Sequence, residues 1–420
     1  MSVQDCMKYA VSNSTKMRIQ QAAKSDARIA RRDAVLALFT PQVQAQTYAY
    51  YNFGRSIDPQ TNTYFNTTSF HNNYGVDAGL DLFNGFQAVN NYRISRTSLL
   101  IADSQQKQAE AEICLAVMEA YYNVVYYQRL ADIYEEQVDV ARQAVAKARR
   151  QEELGQKGHA DVIQMEAEMA EREYDLINAR NSYESQRMTL EDLMFWPADS
   201  TLVVVTSTPS PFSGASETNV ESTIDFALGH NPALMEASLR LKNAKTELST
   251  ARWQILPTVS VYAGWQTSYY TYLGASDNKC FRDSFRNNGG EYVELALKIP
   301  IWNRLNRHSQ IARKRSAFEK ASAEYDQKRR DIESEVRRAV QDCEGSARAY
   351  MQALRKGEVQ AEAYQLNLKK LDQGLISLLE FQTATGNYLR SQADEMKSLY
   401  EYLIKEAVVK YYNGIDYVNQ

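Results

Sequence analysis

No stretch of this 420-residue chain holds the roughly 18 consecutive apolar residues that cross a bilayer as a helix, and mean hydropathy is only −0.52. That excludes a helical membrane span. It leaves β-strands open, because alternating strands escape such a search. Charge of one sign is also missing. With 48 basic against 52 acidic residues and a net charge of −4, the chain lacks the basic surplus that nucleic-acid binding needs. The four cysteines (Cys6, Cys114, Cys280, Cys343) and four histidines (His71, His159, His230, His308) are scattered. No C-x-x-C or other ligand spacing joins them, so neither a metal site nor a disulfide framework is expected, and no cofactor is. Cys114 and Cys343 fall in predicted helices, where a small buried apolar role is the default. Nucleophile-elbow, Walker and H-E-x-x-H patterns are absent, which argues against an enzyme. Met1 to Asp5 forms no signal peptide and no lipobox precedes Cys6, so a leader removed elsewhere is the expectation if the chain is exported.

Proline is scarce and unevenly placed. The eight prolines leave 60–196 and everything after Pro300 empty. Since proline in a helix interior costs about 3 kcal/mol, these gaps permit very long helices. Within them an apolar or Ala position recurs in alternating steps of four and three: Ile113, Val117, Ala120, Val124, Tyr127, Ala131, Tyr134, Val138, Ala141, Val145, Ala148. A second series runs Val336, Val340, Cys343, Ala347, Tyr350, Leu354, Gly357, Ala361, Tyr364, Leu368, Leu371. This spacing predicts left-handed supercoiling. A weaker stripe beside the first (Tyr121, Val125, Ile133, Val140, Ala144) gives the helix two apolar flanks, which fits a ring of helices or an ordinary long coiled coil. Helices over 86–154 and 304–371 are predicted, each on the order of 100 Å long at 1.5 Å per residue.

The chain is duplicated at an offset of about 216 residues. Leu38-Phe39-Thr40-Pro41 is answered by Ile255-Leu256-Pro257, Leu82-Phe83-Asn84-Gly85 by Ile301-Trp302-Asn303-Arg304, and Gly158-His159 by Gly374-Leu375. The expected first repeat, 1–215, has a helix, a strand pair over 43–83, long helices over 86–195 and a connector over 196–215. The second, 216–420, has a helix, a strand pair over 258–301 and long helices over 304–413. All four strands alternate. Val43, Ala45, Thr47 and Ala49 oppose Gln44, Gln46, Tyr48 and Tyr50, and Val76, Ala78 and Leu80 oppose Asp77, Gly79 and Asp81. Val259, Val261 and Ala263 oppose Ser260, Tyr262 and Gly264; Val293, Leu295, Leu297, Ile299 and Ile301 oppose Glu294 and Lys298. Segments 57–73 and 273–290 are expected to be polar external loops. Four strands cannot close a barrel, and open edges are not tolerated in lipid. Three copies would supply 12, an even number of the kind outer-membrane barrels use. The 28 tyrosines fit either ordinary packing or interfacial girdles.

In these duplicated entries, the Phe83-Asn84-Gly85 strand exit and the paired tip turns, the chain resembles the TolC-like outer-membrane efflux family. Asp5-Cys6-Met7-Lys8-Tyr9-Ala10 with Asn13 looks like the mature start of Bacteroidota members. The resemblance implies a mainly α protomer with a small β portion. Three copies would form a 12-helix α-barrel in the periplasm and a 12-stranded transmembrane β-barrel in the outer-membrane lipid of a Gram-negative bacterium. It further implies a passive exit duct partnered by a periplasmic adaptor and an inner-membrane pump. By alternation Asp77, Asp81, Glu294 and Lys298 are expected to face the lumen, where threefold symmetry makes charge rings. At the tips the family carries acidic constriction residues. Glu380 matches the first, Thr383 stands at the second, Asp372 can partly substitute, Asp161 sits near the first-copy tip, and Ile376 replaces a tip Arg. Adaptor docking is expected beside Gly155, Gly158, His159, Gly374 and Leu375. Two other readings stay open: the outer-membrane component of a type I protein secretion system, and a coiled-coil scaffold with no pore.

Overall fold

Long proline-free segments become long helices, and the alternating segments become one sheet. The computed structural model of the chain describes residues 1–57, 62–66, 68–205, 219–273, 280–373 and 375–419. In chain order the elements are α1 (Val3–Asn13), α2 (Thr15–Phe39), β1 (Gln42–Asn52), β2 (Arg55–Ile57), β3 (Tyr64–Asn66), β4 (Ser69–Asn84), α3 (Gln87–Glu153) and α4 (His159–Met194). There follow α5 (Val220–His230), α6 (Pro232–Trp253), β5 (Thr258–Tyr272), α7 (Phe281–Asn287), β6 (Gly290–Lys298), α8 (Asn306–Asp372) and α9 (Leu378–Tyr412). Both α3 and α8 hold 67 residues. The residues gather into two compact units: 1–23, 102–237 and 325–420 in one, 24–101 and 238–324 in the other. Each unit draws on both halves of the sequence.

In the unit that holds the sheet, four antiparallel strands lie in the order β1-β4-β5-β6, so the central pair joins the two halves of the chain. A bulge between Asp81 and Phe83 interrupts the β4–β5 register. Three strand limits differ from expectation. β4 starts at Ser69, because β1 and β5 both offer ladder partners to the polar stretch His71–Asn73. β6 stops at Lys298 and not at Ile301, since Pro300 has no N–H for the ladder. β1 stops at Asn52, ahead of the loop expected from 57. The expected loop over 57–73 instead contains β3, paired with β2, and the start of β4. Its counterpart over 273–290 contains α7.

The strand-to-helix corners show the duplication most closely. Asn84 Oδ1 accepts from Ala88 N at 3.0 Å, and Asn303 Oδ1 accepts from Arg307 N at 3.5 Å. After each asparagine come two residues in the left-handed region, Gly85 (φ 63°) and Phe86 (φ 64°), then Arg304 (φ 54°) and Leu305 (φ 64°). Gly85 is required for a second reason: a Cβ there would lie 3.0 Å from the carbonyl oxygen of Trp253, which is backbone and does not yield. Gly85→Ala should therefore lower the stability of the detergent-solubilised protein by about 1–2 kcal/mol, seen as a lower unfolding temperature. Gly54→Ala, at a left-handed position with open space around it, should cost less.

In the other unit the alternating four-three stripe is the packed seam. Val117, Val124, Val138, Val145 and Ala148 of α3 are buried, as are Val336, Val340, Ala347, Tyr350 and Tyr364 of α8, and no residue of either series is exposed. The second stripe is uneven: Tyr121 and Val125 are buried, whereas Val140 is exposed. Ion pairs tie α3 to α4 (Glu135–Arg180 2.9 Å, Arg142–Glu173 2.9 Å, Arg149–Glu166 2.6 Å) and α8 to α9 (Asp342–Lys405 3.4 Å, Lys356–Asp394 2.8 Å). All are largely exposed and worth about 0–1 kcal/mol each. The seam, not the ladder, holds the hairpins.

The largest core cluster joins Cys6, Met7 and Ala10 of α1 to Cys114, Val117 and Val124 of α3 and Leu190 and Met194 of α4. α1 starts with a capping box between Ser2 and Asp5. Met1 exchanges backbone hydrogen bonds with 203–205, and the Tyr121 hydroxyl donates to Val205 O at 2.7 Å. The second half of the expected connector, 206–215, and the next three residues, 216–218, lie outside the described residues.

Candidate functional site

Two places gather the candidate residues: the sheet, and the turns α3–α4 and α8–α9. Register across the sheet sorts the side chains into two faces. Gln44, Asp77, Gly264 and Tyr292 lie in one row, Gln42, Gly79, Tyr262 and Glu294 in the next, and Asp81 opposite Ser260 beyond it. Lys298 ends that face opposite Thr258. The four expected residues thus share one polar face. The other face carries Val43, Ala45, Val76, Ala78, Val261, Ala263, Val293, Leu295 and Leu297, with Val293 81% and Leu295 70% exposed.

The polar face is organised around Asp77. Its carboxylate accepts from Gln46 Nε2 at 2.9 Å and from the Tyr292 hydroxyl at 2.6 Å, while Asp81 accepts from Ser260 Oγ at 2.6 Å. Glycine makes this possible. A Cβ on Gly264 would lie 2.8 Å from Asp77 Oδ1, Tyr292 Cε1 and the Val76 carbonyl, and one on Gly79 would meet the Tyr262 ring at 2.9 Å. Tyr262 and Tyr292 therefore lie across the glycines, and Asp77 is held rather than freely solvated. Glu294 and Lys298 are exposed. Alternation along the strands places all four charges but carries no sign of the tyrosine and glutamine that anchor Asp77, which only the register brings together.

At the first tip, Gly155 (φ 70°) closes α3 by donating to Glu152 O at 2.8 Å, and Gln156 N donates to Gln151 O at 2.8 Å. This is glycine's usual role just past a helix end. Gly158 is the N-cap of α4, and His159 Nδ1 lies 2.7 Å from Glu152 Oε1, bridging the turn. At the second tip α8 ends at Asp372, Gly374 lies outside the described residues, and exposed Leu375 donates its N–H to Lys370 O at 2.9 Å. Counted from the helix ends, Gly155 and not Gly158 is the counterpart of Gly374.

Asp161 and Glu380 then occupy the same place, the third residue of the helix after the turn. A carboxylate there complements the positive end of the helix. Their partners differ. Glu380 completes a capping box with Ser377, accepting from Ser377 N at 2.9 Å and Ser377 Oγ at 3.1 Å. These bonds hold its carboxyl below the ordinary glutamate range, the backbone bond contributing most. Gly158 offers Asp161 no side chain, so that carboxylate is left out of any cap. Among the described residues no group of three His, Cys, Asp or Glu side chains converges as metal ligands, and no helix is long and apolar enough to cross a membrane.

Comparison with known proteins agrees with this geometry. The model of the family described as outer membrane efflux protein matches residues 9–194 and 223–412, two blocks that follow the duplication. The chain is 24% identical over 387 residues to the alkaline protease secretion protein AprF of Pseudomonas aeruginosa, covering 87% of this chain and 75% of that one. It is 22% identical over 338 residues to the outer membrane efflux protein BepC of Brucella suis, covering 79% and 68%. Among solved structures, CusC superposes with a TM-score of 0.80 at 17% identity, over 98% of this chain and 92% of that one. The outer membrane protein VceC of Vibrio cholerae gives 0.77 at 15% identity, over 98% and 96%. With both repeats matched by the family model and the whole architecture shared with solved channels, the chain belongs to the outer membrane efflux protein family.

Proposed function

We propose that three copies of this chain pool their sheets into a 12-stranded barrel and serve as the outer-membrane exit duct of a tripartite efflux system. One observation carries the reading: a four-stranded sheet with one apolar face, bare over Val43, Val293, Leu295 and Leu297, a polar, charged face on the other side, and the outer edges of β1 and β6 unpaired among the described residues. Lipid covers an apolar face, water fills a polar one, and only closure removes the edges. The apolar stripe beside the seam of α3, with Val140 exposed, fits a further helix neighbour, as a ring of helices requires. Charge rings of Asp77, Asp81, Glu294 and Lys298 then line the barrel. Asp161 and Glu380 form the constriction together with Asp372, whose side chain lies outside those described, and a periplasmic adaptor, fed by an inner-membrane pump, docks beside Gly155, Gly158, His159, Gly374 and Leu375.

Detergent-purified protein should have the mass of three chains and conduct in planar bilayers. A monomer that stays soluble without detergent, with its sheet intact, overturns the duct and favours the scaffold reading. A second reading, export of a protein, is favoured by the likeness to AprF, which is named for protease secretion. Deleting the gene separates the two. Sensitivity to small toxic compounds is expected for efflux, and loss of one protein from the culture medium for secretion.

A further inference from the structure

Seventeen residues separate β5 from β6, and the described part of them does not project away as a loop. It folds back onto the sheet as α7 and covers one end of the apolar face, over Tyr74, Trp265 and Tyr269. Phe281 packs at 5.3 Å from Tyr269 and 6.1 Å from Tyr74; Phe285 packs at 5.3 Å from Tyr74 and 5.6 Å from Trp265. Tyr74, Trp265 and Tyr269 all belong to the apolar face. Two polar bonds fix the helix: Thr267 Oγ1 donates to Phe285 O at 2.7 Å, and Asn288 Nδ2 donates to Ser268 O at 2.7 Å. The second takes over a carbonyl of β5 beyond the last β6 pair, Gln266–Gly290.

The level of α7 along β5 identifies its surroundings, on the barrel reading above. β5 rises from Thr258, and a strand climbs about 3.3 Å per residue at a tilt of about 40°. Residues 265–269 then stand roughly 18–28 Å above the start of the strand. An outer-membrane barrel's apolar band is about 25 Å tall, so α7 lies at the outward headgroup level, on the lipid side of the wall.

Its sequence fits that level. At 3.6 residues per turn, Phe281, Ser284 and Phe285 face the sheet, and Ser284 is buried. Arg282 and Arg286, four apart and both exposed, form one flank, with Asp283 and Asn287 on the opposite one. A guanidinium pair on an aromatic-anchored helix at headgroup depth is built for phosphate, which arginine grips with paired N–H donors.

We propose that α7 is a lipid anchor, in which Arg282 and Arg286 hold a phosphate monoester, not a choline-capped diester, of an outward-leaflet lipid headgroup against the barrel wall. The chain carries its own reporter. Cys280, exposed, is the N-cap residue of α7. Burial pushes the thiols of Cys6 and Cys343 up to about 11 and that of Cys114 to about 12, so a maleimide fluorophore at neutral pH should label Cys280 selectively. The labelled full-length protein is placed in phosphatidylcholine vesicles containing nitroxide-labelled phosphatidic acid or, at equal mole fraction, nitroxide-labelled phosphatidylcholine. Phosphatidic acid should quench several-fold more strongly. The preference should vanish in the Arg282→Gln/Arg286→Gln double variant, which keeps the aromatic packing and should keep its conductance. Excess inorganic phosphate should leave the preference unchanged; its removal by free phosphate would make the source solvent anions and overturn the lipid assignment. Equal quenching by the two lipids, or a preference that survives in the variant, overturns the anchor while leaving the barrel standing. No quenching by either lipid overturns the membrane placement itself.

Discussion

Val293→Arg should abolish assembly, whereas Glu294→Arg, one residue along the same strand, should not. Val293 pairs with Ala263, five residues into β5, which in the proposed barrel puts it near the middle of the membrane band on the apolar face. It is 81% exposed because nothing among the described residues covers it. An arginine on the lipid face at the midplane costs about 2–4 kcal/mol. Closure by three copies repeats that cost three times, for a total of about 6–12 kcal/mol, comparable with the whole stability of an ordinary domain. Glu294 pairs with Tyr262 on the polar face, where a charge of either sign stays hydrated. The measurement is the amount of trimer extracted from the outer-membrane fraction. Loss of trimer for both variants, or for neither, would show that the faces are not lipid and lumen. Glu294→Arg should instead shift ion selectivity toward anions, since each ring exchanges three negative charges for three positive ones.

That parity test works because the faces are legible in the order of the amino acids. A period of two in the strands and of three and a half in the helices are consequences of backbone geometry, and both survive into the fold. Every residue of the two four-three series, 113–148 and 336–371, is at least partly buried, and Asp77, Asp81, Glu294 and Lys298 share a face as alternation requires. What alternation does not carry is the partner. Asp77 and Tyr292 meet because β4 and β6 both flank β5, and Gly264 looks unremarkable in sequence until the tyrosine ring and carboxylate that occupy its missing Cβ are known.

The extension of β4 back to Ser69 is hidden for a related reason. Asn72 and Asn73 are poor strand formers by composition, but the ladder offered by β1 and β5 overrides that preference. α7, at seven residues, is too short to be stable alone. Its signal in the sequence is Phe281 and Phe285 at helical spacing in a segment otherwise polar. At the tips the pattern Ser377-x-x-Glu380 is itself a capping-box signature, so the residue expected at a gate has a structural role that is equally readable. Gly155 and Gly158 both read as turn residues, but only the left-handed φ of Gly155 shows which one ends the helix.

The double role of Glu380 dictates how its part in the gate is tested. Glu380→Ala removes the charge and the cap together, so a loss of cation preference in that variant has two explanations. Glu380→Gln removes only the charge, since glutamine serves equally well at the third position of a capping box. If three Glu380 carboxylates ring the constriction, Glu380→Gln should lower the cation-over-anion permeability ratio in planar bilayers with unfolding temperature and helical signal unchanged. Asp161→Asn, which disturbs no cap, should lower the ratio further. The pH dependence follows from the same bonds. Ser377 favours the charged form of Glu380 and holds its pKa below the ordinary value. Wild-type cation preference should therefore persist through mildly acidic pH and lose the share that Glu380 carries only as pH drops below the usual glutamate range, while in the Gln variant the acid-dependent fall is smaller and belongs to the remaining carboxylates. A Glu380→Gln channel with unaltered selectivity would assign Glu380 to the helix cap alone and leave Asp161 and Asp372 as the remaining candidates for the gate charge.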